Sequence, residues 1–179
     1  MPTKIMRQLT IDERHDLQDE LIINESLWTS HSSDLPTSLA DGKSIHLNMI
    51  QNDLKYVKDL WKLFPKTYNI IKTVSQDKTI GRCYWHRLLP NDIIGHHTDN
   101  SVEFVKNDQL YARYQIYLEC PEDQKFKMLI VDAKPCNPKK YEYSLLDFDL
   151  RLRHRYNNLS DNPWYFLVFD VLKSDIKLH

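Results

Sequence analysis

The residues best placed to do chemistry are His97 and Asp99, in the stretch Pro90-Asn91-Asp92-Ile93-Ile94-Gly95-His96-His97-Thr98-Asp99. On an extended chain, side chains two residues apart point the same way, so an imidazole and a carboxylate would share one face. One distant histidine completes a set of two His and one carboxylate. Such a set occupies one face of an octahedral metal ion and leaves three positions open. It favours Fe(II), which can then take a cosubstrate and O2 together. His154 is the best downstream candidate for the third ligand. The competing reading is an accidental H-x-D in a turn, since short motifs recur by chance. His96 should face away from His97. His15, His31, His46 and His179 have no partner pattern.

These residues need elements to position them. Residues 10–27 read as a helix, opened by a Thr10/Glu13 capping box, with Ile11, Leu17, Leu21 and Leu27 as its inward stripe. Residues 28–48 read as loop. A second helix is expected over 52–64, where Leu54, Val57, Trp61 and Phe64 recur at helical spacing before Pro65. A short third helix is expected over 68–75. From residue 80 the pattern turns to β, with strands expected over 82–89, 110–118, 127–131, 143–148 and 164–172. Short strands separated by Pro and Asn point to a sandwich or barrel. The expectation is one domain over 1–179, with a helical part over about 1–79 packed outside a β core over about 80–179. Trp85, Tyr111, Tyr117 and Tyr165 read as core aromatics.

Composition narrows the function classes. With 179 residues the chain can bury a sizeable core. A formal net charge of −1 gives no general pull toward nucleic acid or anionic membrane. No apolar run is long enough to span a bilayer, and residues 1–8 lack the apolar centre of a signal peptide. Cys83, Cys120 and Cys136 are odd in number and lack C-x-x-C spacing, which fits reduced thiols in a cytoplasmic protein. Three glycines cannot build a phosphate-cradling loop.

Taken in order, the second half of the chain resembles the aspartyl/asparaginyl β-hydroxylase-like family of Fe(II)/2-oxoglutarate-dependent oxygenases. Arg87-Leu88-Leu89-Pro90 is similar to the family's R-L-x-P-G lead-in, with Asn91 where glycine is usual. His97-Thr98-Asp99 follows. Arg113-Tyr114-Gln115-Ile116-Tyr117-Leu118 is similar to the R-x-H-x-x-L strand, and His154, Asn158 and Ser160 match H-x-x-x-N-x-S. The resemblance implies a mainly β fold, a double-stranded β-helix (jelly-roll, cupin-like), with Fe(II) held by His97, Asp99 and His154. It implies 2-oxoglutarate and O2 as cosubstrates, hydroxylation of an amino acid, a derivative or a protein side chain, and release of succinate and CO2. Related halogenases lack the carboxylate, so Asp99 favours hydroxylation.

Two positions depart from the family pattern. Trp164 stands where an arginine holds the distal carboxylate of 2-oxoglutarate, and Gln115 replaces the histidine of the R-x-H strand. An indole N–H donates one hydrogen bond and carries no charge, whereas guanidinium forms a charged fork. Arg113 is the expected substitute cation, sharing a strand face with Gln115 and Tyr117. His86 and Arg87 come next, His86 lying where some relatives place a hydroxyl partner of the arginine. Arg82, Arg151, Arg153 and Arg155 read as solvated. The chain's small size favours a small-molecule substrate over a protein one, and the oligomeric state stays open. The other readings are a metal-binding relative without catalysis and a non-enzymatic β-sandwich binding module.

Overall fold

The computed structural model describes residues 3–29, 43–48, 60–98, 101–102, 105–106, 111–120, 129–131 and 134–173. Strand β1 (Thr3–Gln8) leads into helix α1 (Ile11–Ile23), a 3-10 turn over Glu25–Thr29 and strand β2 (Lys43–Asn48). A second 3-10 turn, Leu60–Leu63, precedes helix α2 (Pro65–Ser75). Then come β3 (Ile80–Leu88), β4 (Ile93–His97), β5 (Ser101–Val102), β6 (Val105–Lys106) and β7 (Tyr111–Leu118). The chain closes with β8 (Leu129–Val131), β9 (Lys134–Cys136), β10 (Ser144–Phe148), β11 (His154–Asn157) and β12 (Trp164–Leu172).

Two antiparallel sheets carry the fold. The larger has the order β1-β10-β7-β12-β3-β2 and the smaller β4-β11-β8-β9, with β5 and β6 as a separate hairpin. Side chains alternate across the larger sheet. One set, including Cys83, Trp85, Ile116, Leu118, Leu167 and Phe169, packs under the helices. The other, including Leu88, Tyr117, Trp164, Phe166 and Val168, packs against Ile94, Val131 and Tyr156 of the smaller sheet. The interior between the sheets is where the site lies.

The helices are anchored by polar contacts. Thr10 and Glu13 form the expected reciprocal box, Thr10 Oγ1 accepting from Glu13 N at 3.1 Å and Glu13 Oε2 accepting from Thr10 N at 2.9 Å. Leu17, Glu20 and Leu21 face inward. The Glu20 carboxylate caps α2: it accepts from the backbone N–H groups of Lys66 and Thr67 and from the Thr67 hydroxyl. That hydroxyl in turn accepts from Trp85 Nε1 of β3. A carboxylate at a helix N-terminus satisfies orphan donors and opposes the helix dipole. Burial still pushes Glu20 above the usual carboxylate range.

Several expectations change. Ile11 is 66 % exposed, because it lies off the stripe set by Leu17 and Leu21. The first 79 residues are not purely helical: β1 and β2 form the two edges of the larger sheet. Edge strands keep one side solvated, as the exposure of Ile5 and Met6 shows, so neither carries a strong alternating pattern. Strands β4 and β11 were not foreseen as strands, being only five and four residues long. Most of the expected 52–64 helix lies outside the described residues. Its described end, Leu60–Leu63, is a 3-10 turn. The helix over 68–75 and the strand over 164–172 are found, the helix starting three residues earlier at Pro65.

Candidate metal centre

His97 ends β4 and His154 begins β11, and the two strands pair so that these residues are direct cross-strand partners. Fifty-seven residues apart in sequence, their rings sit 4.3 Å apart between centroids. His97 Nδ1 lies 2.8 Å from the Gly95 carbonyl oxygen, and His154 Nδ1 lies 3.0 Å from that of Leu152. A carbonyl only accepts, so each Nδ1 carries a proton, and the neutral form of each ring presents its Nε2 lone pair. Pinning one ring nitrogen in this way fixes the tautomer and orientation that a metal-ligating histidine needs. His154 is buried at 1 % exposure and touches the Phe148 ring at 4.8 Å.

Asp99, the expected third ligand, lies outside the described residues, two positions beyond His97. Among the described residues no group of three His, Cys, Asp or Glu converges. The two histidines fit a divalent metal by donor type and by their fixed tautomers.

Gln115, Tyr84 and Val168 line the cleft beside the histidine pair, with His86, Phe166 and Tyr156 below. Gln115 Oε1 accepts from the Tyr117 hydroxyl at 2.7 Å and the Tyr156 hydroxyl at 3.0 Å. Burial and the neighbouring Tyr156 raise the Tyr117 phenol well above its ordinary range, so it stays a neutral donor. The His86 ring stacks on Phe166 at 5.1 Å. Gln115 and His86 therefore face the cleft, as expected.

Trp164, on the same inner face of β12, is fully buried. Its ring meets Tyr117, Tyr156 and Phe166 at 5.5 to 5.6 Å, and these rings fill the barrel floor. Among the described residues this floor supplies no Lys or Arg for a carboxylate.

The two expected substitute arginines lie elsewhere. Arg87 faces the helices, ion-paired with Glu25 and set over the Trp28 ring at 4.7 Å. It adjoins His86, and adjacent strand residues point to opposite faces, so Arg87 is corrected to a role in the helix–sheet contact. Arg113 does face the interior, but Nε and Nη2 fork onto Asp170 at 2.7 and 2.9 Å. Arg82 joins this pair, its Nε 3.5 Å from Asp170. The sequence did not disclose the Arg113–Asp170 pair, and Arg82 read as solvated. Parity alone put Arg82 on the face of Tyr84 and His86, but the register that brings β7, β12 and β3 together was not visible.

Asn158 and Ser160 have a structural role. The Asn158 amide donates to the carbonyls of Leu88 and Asn162, and its Oδ1 accepts from the Ser160 N–H and hydroxyl. They lock the turn from β11 to β12.

No protein-family model matches this sequence, and no curated protein matches it. Solved structures do resemble it. A prolyl-4-hydroxylase from Pseudomonas putida superposes with a TM-score of 0.57 at 10 % identity, covering 97 % of this chain and 93 % of its own. The fold is a double-stranded β-helix. A Trichoplax adhaerens prolyl hydroxylase, solved with a hypoxia inducible factor peptide fragment, gives 0.59 at 12 % identity over 95 % of this chain and 83 % of its own. HygX from Streptomyces hygroscopicus, with nickel, 2-oxoglutarate and hygromycin B bound, gives 0.58 at 10 % identity over 97 % and 84 %. The neighbours are 2-oxoglutarate/Fe(II) oxygenases, and identities this low establish the shared architecture alone.

Proposed function

We propose that the protein is an Fe(II)- and 2-oxoglutarate-dependent oxygenase that hydroxylates a small amino-acid-like substrate, releasing succinate and CO2. The observation that carries this reading is the cross-strand pair of His97 and His154 with both Nδ1 atoms tied to carbonyls. The motif order that resembles the aspartyl/asparaginyl β-hydroxylase-like branch supports it, as does the architecture shared with the structures above.

In this reading His97, Asp99 and His154 hold the metal. Bound there, the metal supplies the O2 chemistry and the Lewis acidity. The chain supplies the rest. Gln115, oriented by two tyrosine hydroxyls, offers its amide N–H groups to a ligand carboxylate. Ile94, Phe166 and Val168 keep the cleft apolar and limit water. The narrow cleft suits a small molecule, and the buried free thiols of Cys83 and Cys120 suit a reducing, cytoplasmic setting.

A second reading, a metal-binding relative without catalysis, draws on the aromatic floor around Trp164. Anaerobic titration separates the two. Wild type is expected to bind Fe(II) and, with 2-oxoglutarate, to give a weak visible charge-transfer band. His154→Ala is expected to lose both while unfolding at nearly the same temperature. Equal Fe(II) affinity in wild type and His154→Ala would refute the metal centre. Metal binding without the band would favour the second reading.

A further inference from the structure

Among the described residues the floor beneath the histidine pair holds packed aromatic rings and no Lys or Arg, so a ligand carboxylate directed there would be buried unpaired, at high cost. Positive charge is available in the opposite direction. Tyr84 on β3, Gln115 on β7 and Val168 on β12 line the cleft. Two residues further along each of these strands stand Arg82, Arg113 and Asp170. Two strand residues span roughly 6–7 Å on the same face. The three groups meet there, with Asp170 forked by Arg113 and approached by Arg82. Phe148 links this layer to the metal centre, pairing with Arg113 across β10 and β7 and touching the His154 ring.

Within this layer two guanidiniums share one carboxylate. Arg113 and Asp170 are 1 % exposed and joined by a bidentate pair. Arg82 differs. Its side chain keeps 31 % exposure; among the described residues its only ion pair is the long contact to Asp170, and its Nη2 is buried with no hydrogen-bond partner. A partly exposed guanidinium with a buried donor left over suits a carboxylate acceptor arriving from the cleft. We propose that Arg82 receives a carboxylate of the ligand bound at the metal centre, so that its acidic end points along β3 to Arg82 and not down to Trp164. The inference rests on the metal reading above and adds the direction and charge of the ligand.

That carboxylate can belong to the cosubstrate or to the substrate, and Co(II)-loaded protein tells them apart. Co(II) absorption reports ligation, so binding is read without turnover. 2-Oxoglutarate and pyruvate share an oxo-acid head, and only the former has a second carboxylate. Arg82→Gln is expected to weaken 2-oxoglutarate binding at least tenfold and leave pyruvate unchanged, with Arg82→Lys recovering part of the loss. That result assigns Arg82 to the cosubstrate. If 2-oxoglutarate is unaffected but aspartate, added with saturating 2-oxoglutarate, is weakened relative to asparagine, Arg82 serves the substrate. Arg113 keeps Asp170 in these variants, so unfolding temperatures within a few degrees of wild type are expected. Unchanged affinities for all four probes overturn the inference and leave the metal centre standing. Co(II) spectra that are the same in wild type and His154→Ala remove both.

Discussion

Alternate residues of the same strands build the two faces of the larger sheet. On β3, Cys83, Trp85 and Arg87 meet the helices, while Arg82, Tyr84, His86 and Leu88 look into the barrel. On β7, Ile116 and Leu118 pack under α1 and α2, whereas Arg113, Gln115 and Tyr117 turn inward. The helix-side face is mostly aliphatic and aromatic packing, with a few polar contacts, such as Glu20 with Thr67 and Arg87 with Glu25. The inward face is graded. It runs from the rings around Trp164, through Gln115 level with the histidines, to the Arg82–Asp170–Arg113 layer. Burial alone does not separate the faces, since both are almost fully enclosed. What separates them is how many buried polar groups each carries: few on the helix side, a graded series from Gln115 to Arg82, Arg113 and Asp170 on the inward side.

Substitutions on the two faces should therefore fail differently. The largest stability loss is expected from Asp170→Ala, which removes the carboxylate that two guanidiniums share. Breaking a buried pair costs about 3–5 kcal/mol, whereas replacing both members with apolar groups costs less. Urea unfolding of Asp170→Ala beside Arg113→Met/Asp170→Leu checks this. A double variant as unstable as the single one would show that this layer is held by shape and not by charge.

Ile116→Val on the helix-side face removes one buried methylene and is expected to cost about 0.5–1.5 kcal/mol. Co(II) affinity should be unchanged, because nothing on that face touches the cleft. A shift in metal affinity would mean the two faces are coupled through the sheet.

The smallest effect lies at the outer rim. Glu13 is held below the usual carboxylate range, first by the hydrogen bond from Arg7. A depressed carboxyl stabilises the fold above its ordinary value of about 4.3, and that contribution fades as pH falls through the folded value. Both partners are partly solvated, so Glu13→Gln, which keeps the capping geometry, is expected to cost only about 0.5 kcal/mol at pH 7. Melting curves of the two proteins should converge as pH falls through the lowered folded value of Glu13. A gap that persists at low pH would place the effect in the cap and not in the ion pair.

Local rules reached a good part of this protein. The Thr10/Glu13 box needs only three residues of spacing, and the apolar run of β12 marks itself by composition. His154 was reachable from His97 through its place in a motif order, and the structure pairs the two across β4 and β11. Parity along a strand put Gln115 and Tyr117 on one face, and both turn inward together.

Register between strands was beyond the sequence, because backbone hydrogen bonds pair any residue with any other and leave no mark on residue type. Register decided that Asp170 lies opposite Arg113 and spends its fork. It decided that Arg82, from a third strand, arrives with donors to spare, and that the rings beside Trp164 close the floor. Edge position decided β1 and β2: an edge strand needs no apolar alternation on both sides. The residue types and their order determined which groups could hold a metal. Tertiary packing determined where positive charge is left over, because charge is neutralised only by what lies within a few ångströms in space.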